Sequence, residues 1–353
     1  MASIRHSKID IKLLIFFILT FFVLISCDSD SDTLSPKDNS DSSEYPNWSL
    51  WIGAANPFLG MTDGGLAKFD EKDWTVYVPS NSGINSRLVG VLAIEGDNVW
   101  IGTSGLVKFD EIDWIIYRES NSGLPDNQVC ALTVSGNKIW IGTYSGGLAK
   151  FDGTNWTVYN MSNSGLPSNY VKALLMDGND NLWIGTWWNG GLAKFDGTNW
   201  TVYDTSNSGL PNNDIYALEK DDTGNIWIGT YSGGLAKFDG INWTVYDTSN
   251  SGLPSNCIRC LATDENSMWI GTPNGLANFD GTNWIVYDRF NETIRAIAID
   301  DSSSNIWIGT YGLIGGLTKF DGTSWTKYNK SNSDLPSNYI TSLAIKYYKD
   351  IQK

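Results

Sequence analysis

Histidine is all but missing from this chain: the only one among 353 residues is His6. The commonest general base and a frequent metal ligand is therefore unavailable, which excludes serine or cysteine triads with a histidine base and histidine-ligated metal sites. Neither a metal nor a cofactor is expected. Cysteine is scarce too, at Cys27, Cys130, Cys257 and Cys260, and no zinc-ligand spacing appears. A disulfide has one obvious candidate, Cys257 with Cys260, and Cys260 otherwise reads as a small buried side chain where Ala131 and Ala173 stand in related segments. Positive charge is in deficit, with 24 Lys and Arg against 39 Asp and Glu, a net −15. That sign repels phosphate backbones, so nucleic acid is not an expected partner. Only one apolar run is long, Leu13 to Ile25, and it is short for a spanning helix.

What the chain does have is a phrase that keeps returning. Trp-Ile-Gly begins at Trp51, Trp100, Trp140, Trp183, Trp227, Trp269 and Trp307, at spacings of 49, 40, 43, 44, 42 and 38 residues. Repeats of that period build propellers. Each unit holds four strand-like stretches, for example Val171 to Asp177, Leu182 to Thr186, Gly191 to Asp196 and Trp200 to Tyr203, designated strands A to D. The links between them, such as Asp196-Gly197-Thr198-Asn199, are rich in residues that tolerate left-handed backbone angles, so the strands run antiparallel. A second tryptophan opens strand D at Trp74, Trp114, Trp156, Trp200, Trp243, Trp284 and Trp325. Fourteen of the 17 tryptophans are thus periodic, which marks them as core rather than ligand platform. Asp152, Asp196, Asp239, Asp280 and Asp321 recur likewise, so they are expected to set turns rather than to cut bonds.

These features predict an all-β fold, a seven-bladed β-propeller of four-stranded antiparallel blades. The folded region opens on Asn47-Trp48-Ser49-Leu50-Trp51, already strand B, whereas Tyr339 to Ile345 matches every other strand A. The C-terminal strand A is therefore expected to pair with the N-terminal strand B and close the ring. The domain boundaries read as signal peptide 1–26, lipidated cysteine and acidic tether 27–47, propeller 48–347 and tail 348–353.

Arg5, Lys8 and Lys12 before the apolar run, then Leu24-Ile25-Ser26-Cys27, resemble a bacterial lipoprotein signal, with Cys27 as the lipidated residue. A buried transmembrane helix is the alternative. Cleavage would remove three positive charges and one negative, moving the net charge from −15 to −17. Asp28 to Pro46 has the composition of a solvated tether. Its run Asp28-Ser29-Asp30-Ser31-Asp32 is similar to surface-display sorting signals, or serves solubility alone. The expected location is the cell envelope, with a lipid-anchored monomer facing the periplasm or the outside.

Units built as Asn-Leu-Trp-Ile-Gly-Thr, Gly-Gly-Leu-Ala-Lys-Phe-Asp and Asn-Trp-Thr-Val-Tyr resemble two-component regulator propeller repeats, over roughly Trp48 to Ile345. The resemblance implies a ligand-binding loop face, since that family senses polysaccharide fragments in hybrid histidine kinases and also occurs as secreted and lipoprotein forms. One ring's worth of blades with no kinase makes signalling by this chain alone unexpected. The B to C and D to A loops share one face of a propeller. The D to A loop is nearly fixed, as Ser164-Gly165-Leu166-Pro167 and Ser251-Gly252-Leu253-Pro254, with glycine and proline expected to set its turn. The B to C loop varies, carrying Phe58, Tyr144, Trp187, Trp188, Tyr231 and Tyr311. A second variable position, early in strand A, reads Gly90, Cys130, Lys172, Tyr216, Arg259, Arg295 and Thr341 beside a small neighbour, and is expected to reach the central channel. Lys172, Arg259 and Arg295 would place an anion or uronic-acid pocket there. Between the sixth and seventh blades the loop Asp288-Arg289-Phe290-Asn291-Glu292 lacks the usual phrase, and a notch flanked by Arg289 and Arg295 is expected. The primary expectation is a non-catalytic binder of a glycan or oligosaccharide, through Tyr144, Trp187, Trp188, Tyr231, Tyr311, Lys172, Tyr216, Arg259 and Arg295. A platform for an envelope protein is the alternative, and a carboxylate-based lyase or hydrolase a third reading.

Overall fold

Seven four-stranded antiparallel sheets make up the computed structural model, which describes residues 47–56, 63–265, 267–290 and 292–348. The leader, Cys27, the tether, Phe58 and residues 349–353 lie outside the described residues. Blade 4 is representative, with strand A at Val171–Met176, B at Leu182–Thr186, C at Leu192–Phe195 and D at Trp200–Tyr203. Blade 1 takes its strand A, Ile340–Tyr347, from the other end of the chain. It pairs antiparallel with strand B, Trp48–Ala55, with Leu50 opposite Ile345 and Gly53 opposite Ser342.

The core lies between blades, not within them. Strands B and C are buried on both faces, because each sheet is sandwiched by its two neighbours. One cluster joins Trp183 and Leu192 of blade 4 to Ile215, Ile226, Ile228 and Phe238 of blade 5. The same set of positions joins blade 7 to blade 1 through Trp307, Leu317, Leu50, Ile52, Phe69 and Ile340, so the closing interface is built like the others. Each tryptophan of Trp-Ile-Gly is buried, and its ring packs against two others. Trp183 stacks on Tyr203 of its own blade at 5.9 Å and meets Phe238 of the next edge-on at 6.1 Å. Phe238 in turn stacks at 4.6 Å on Trp243, which is only partly buried like the other tryptophans of strand D.

Close approach explains two recurring glycines. A Cβ on Gly185 would lie 2.6 Å from Ile215 of the next blade, and Ala173 stands directly opposite that glycine. The small residues after the channel position are thus dictated by blade-to-blade contact as well as by the crowded axis. In the D to A loop, Gly165 meets Trp200 of the next blade, where a Cβ would sit 2.4 Å from the tryptophan's own. It has no left-handed φ. This corrects the expectation that the glycine sets the turn: it makes room for a neighbour's indole. The recurring aspartates do set turns. Asp196 accepts from the backbone N–H of Thr198 at 2.9 Å and of Asn199 at 2.7 Å, and these bonds hold its carboxyl below the usual range.

In that same turn blades 1 and 2 have Glu71 at φ 77° and Glu111 at φ 73°, where the other five have a left-handed glycine such as Gly197. Glu111 accepts from Lys346 at 2.6 Å, from the Tyr348 hydroxyl at 2.8 Å and from Lys68. Tyr348 is also hydrogen-bonded to Ser49. This cluster ties the closing strand to blade 2 as well as to blade 1. Burial would raise the Glu111 carboxyl, but the bonds to Lys346, Lys68 and Tyr348 outweigh it and hold the group below its ordinary value.

Removing Tyr339 onward strips Ile340, Leu343 and Ile345 from the first core, at about 2–5 kcal/mol for each large side chain. That sum rivals a whole domain's stability, so the truncated protein should lack a cooperative melt; an unchanged melt contradicts the closure. Glu111→Gln should cost about 1–3 kcal/mol at neutral pH, reduced from the fully buried value by partial exposure. A depressed carboxyl stabilises above its unfolded pKa and loses that contribution as pH falls through the folded one. Melting scans between pH 6 and 3 should therefore show a smaller acid-induced drop in the variant than in the parent.

Candidate functional site

A β-bulge gives the site its direction. In blades 3, 4, 5, 7 and 1 the A–B register slips by one residue, leaving Cys130, Lys172, Tyr216, Arg295 and Thr341 without a partner. A bulged residue is released from the ladder and re-aimed, here toward the axis. Gly90 and Arg259 occupy the same place just before strand A of their blades, bonding by N–H to Gly102 and Gly271. All seven line one cavity of about 420 Å³. Leu92, Ile297 and Leu343 line it too, and the corresponding position is Leu or Ile in every blade. A second cavity of about 440 Å³, over the loops of blades 2 and 3, shares Gly90, Gln128 and Val129 with the first.

Tyr216 lines the cavity, and the predicted aromatics of blades 3 to 5 extend from it in two groups. Tyr144 meets Trp188 at 5.2 Å; Trp187 meets Tyr216 at 5.4 Å and Tyr231 at 5.7 Å. The link between the two halves is Tyr170, 4.6 Å from Tyr144 and within 5.5 Å of both tryptophans. Tyr170 was absent from the predicted set. Its signal was available, because the residue before the β-branched start of strand A also varies, as Gln128, Tyr170, Asp214, Cys257 and Tyr339. Tyr311 stands apart from these groups, packing on Tyr339 at 4.9 Å.

Blade 4 departs from its neighbours by one extra residue, Thr-Trp-Trp-Asn-Gly-Gly where blades 3 and 5 read Thr-Tyr-Ser-Gly-Gly. The chain accommodates it with Trp188 at φ 60° and Asn189 at φ 63°, while Asp214 accepts from the Asn189 N–H at 2.8 Å. A tryptophan in the left-handed region is a strained choice, and Trp188 remains 57% exposed.

The cations are stacked but not neutralised. The Arg259 guanidinium lies 4.3 Å over Tyr216 and that of Arg295 lies 4.4 Å over Tyr311. No ion pair involves Lys172, Arg259 or Arg295 among the described residues. Burial, reinforced by Arg295 and Arg259, holds the Lys172 ammonium below the ordinary lysine range. Burial also pushes the Cys130 thiol up to about 11 and that of Cys260 up to about 12. Cys257 and Cys260 are free thiols, so the candidate disulfide does not form.

The expected notch is corrected. Phe290 is buried in the place of the usual leucine and packs on Trp325, leaving about 80 Å³. Arg289 stacks on Trp325 at 4.6 Å in that small cavity, whereas Arg295 lines the central one. The two arginines flank no common opening; Asn291 lies outside the described residues.

Fold and site together define a seven-bladed propeller with a concave, aromatic and basic loop face. Three of its segments, residues 165–188, 209–232 and 252–274, match the two component regulator propeller family. The matched segments span strands A and B of blades 4, 5 and 6. Among solved structures it is similar to the extracellular domain of a hybrid two component system from B. thetaiotaomicron, at 22% identity and TM-score 0.61, covering 80% of this chain and 45% of that one. PorZ, a surface component of the type-IX secretion system of Porphyromonas gingivalis, is similar at 16% identity and TM-score 0.58, covering 79% and 47%. Virginiamycin B lyase from Staphylococcus aureus gives 15% identity and TM-score 0.56, covering 76% and 93%. These likenesses establish the fold. The chain spans less than half the length of the first two proteins, and no curated protein sequence matches it.

Cys130 tests the geometry of the lining. With its thiol near 11, alkylation by iodoacetamide at pH 8 should run roughly two orders of magnitude slower than for a free cysteine, and accelerate toward pH 11. A rate like that of a free thiol would show an open, hydrated lining instead.

Proposed function

We propose that this protein binds a glycan or oligosaccharide on the loop face of its propeller, without catalysis, as a lipoprotein of the cell envelope anchored through Cys27. The observation that carries this reading is the aromatic wall from Tyr144 to Tyr231, and above all Trp188. A strained, exposed tryptophan beside a concave cavity contributes little to packing, and sugar rings present apolar faces suited to stacking on such side chains. The resemblance to polysaccharide-sensing propellers supports the same class of ligand, and the leader supports the location.

A binding role accords with the chemistry available. The virginiamycin B lyase structure is of a catalytically inactive histidine-to-alanine variant with quinupristin bound, whereas the sole histidine here is His6, outside the propeller. The recurring carboxylates, Asp196 among them, are occupied in turns. A second reading, a platform for an envelope protein, draws on Leu313 and Ile314, 75% and 70% exposed on the B to C loop of blade 7.

Affinity electrophoresis of the propeller in gels containing xylan, galactan or pectin should show retardation that Trp188→Gly weakens and Trp187→Ala with Trp188→Ala abolishes. Glycine relieves the left-handed strain while forfeiting ring contacts, so the stability of Trp188→Gly should stay within about 1 kcal/mol of the parent. Equal retardation of parent and variants refutes the assignment. Crosslinks in intact cells that are lost on Leu313→Ser with Ile314→Ser would favour the protein partner.

A further inference from the structure

We infer that the glycan carries an oxyanion, a carboxylate or a sulfate ester, which enters the central cavity between Lys172, Arg259 and Arg295 while its sugar rings lie on the Trp187 and Trp188 wall. This rests on the glycan reading above and adds the charge of the ligand and the direction in which it lies.

The argument begins with charge. In a chain with 39 acidic and 24 basic residues, three cations share one concave lining, and none has an ion-pair partner among the described residues. Two carboxylates of the same loop face are otherwise engaged: Asp126 accepts from the Ser145 N–H and hydroxyl, and Asp214 from the Asn189 N–H. Elsewhere the protein does pair its buried cations, as Lys346 with Glu111 shows.

Geometry adds a second reason. Each guanidinium lies over a tyrosine ring, Arg259 over Tyr216 at 4.3 Å and Arg295 over Tyr311 at 4.4 Å, and Arg259 also hydrogen-bonds to Tyr216. The Nε atoms of both are buried without a hydrogen-bond partner. An unsatisfied buried donor costs about 1–3 kcal/mol, and an oxyanion is the complement that guanidinium N–H donors select. Burial and like charge hold Lys172 below its ordinary pKa, a cost that an arriving anion offsets. Two of the three, Lys172 and Arg295, are also residues the bulges turn toward the axis, and Arg259 holds the equivalent place before strand A of blade 6. The Trp187 ring bridges wall and cavity, because it touches Tyr216, which lies under Arg259.

Calorimetry with paired oligosaccharides tests the inference: oligogalacturonate and oligomannuronate beside their methyl esters, and a chondroitin sulfate oligosaccharide beside its desulfated but unesterified form and its desulfated methyl ester. At low salt at least one charged member should bind tenfold or more tightly than its neutral partner, with the advantage shrinking in 0.5 M NaCl. Preference for the uronates assigns a carboxylate, and preference for the chondroitin sulfate oligosaccharide over its desulfated but unesterified form assigns a sulfate ester. Arg259→Gln with Arg295→Gln should bring the charged member's affinity down to that of its neutral partner measured on the same variant; Lys172→Met, with its melt monitored alongside, serves if the double variant does not fold. Equal binding of charged and neutral partners, or an advantage that survives both variants, overturns this inference while leaving the glycan reading in place. Binding of none of these sugars together with no retardation by xylan, galactan or pectin overturns both.

Discussion

The contact between successive blades is the constraint on which this molecule depends, and Trp-Ile-Gly is its seal. The tryptophan stacks within its own blade and meets the next blade's phenylalanine edge-on, while the glycine leaves the space that the next blade's β-branched residue fills. Neither can be exchanged alone, because interiors packed at this density absorb a lost or added methylene poorly. The interface repeats around the ring, and so does the motif. Closure by the C-terminal strand is what gives the final interface the same partners as the rest.

Against that regularity, the departures become informative. Positions that seal blades stay constant, whereas the bulged residue of strand A is freed from both the ladder and the blade interface. The fold therefore tolerates Gly, Cys, Lys, Tyr, Arg or Thr there. The B to C loop is likewise free beyond its threonine, whose hydroxyl donates to the loop's last glycine carbonyl, as Thr186 does to Gly191 at 2.7 Å. Blade 4 uses that freedom for an extra residue and a left-handed tryptophan. One position per blade thus varies at no cost to the core, and together these positions surround the cavity.

Much of this was legible from repeat arithmetic. Blade number, strand order, closure and the turn role of the aspartates follow from periodicity, because a property shared by seven segments must satisfy the same local geometry seven times. Comparing segments also isolated the channel position before any coordinates, since free variation beside a fixed small residue signals release from packing. Tyr170 falls outside that comparison because it stands before the β-branched residue of strand A and not after it, although its position varies in the same way. The notch escaped for a different reason: a shortened loop looks like a gap in sequence, but Phe290 is large enough to occupy the missing leucine's place. The loop glycine was misassigned because sequence shows only the residue's own conformational freedom and not the indole lying against it.

By itself the sequence determined a ring of seven similar sheets, since one sheet cannot cover its own faces and the period allows few ways to stack them. It also determined the absence of histidine chemistry and an acidic molecule with few cations. Tertiary structure alone decided which of those cations meet. Lys172, Arg259 and Arg295 belong to blades 4, 6 and 7, and only the curvature that brings seven inner strands to one axis, with bulges re-aiming Lys172 and Arg295, places them in one cavity beside the aromatics of blades 3 to 5. Distance along the chain carries no trace of that convergence.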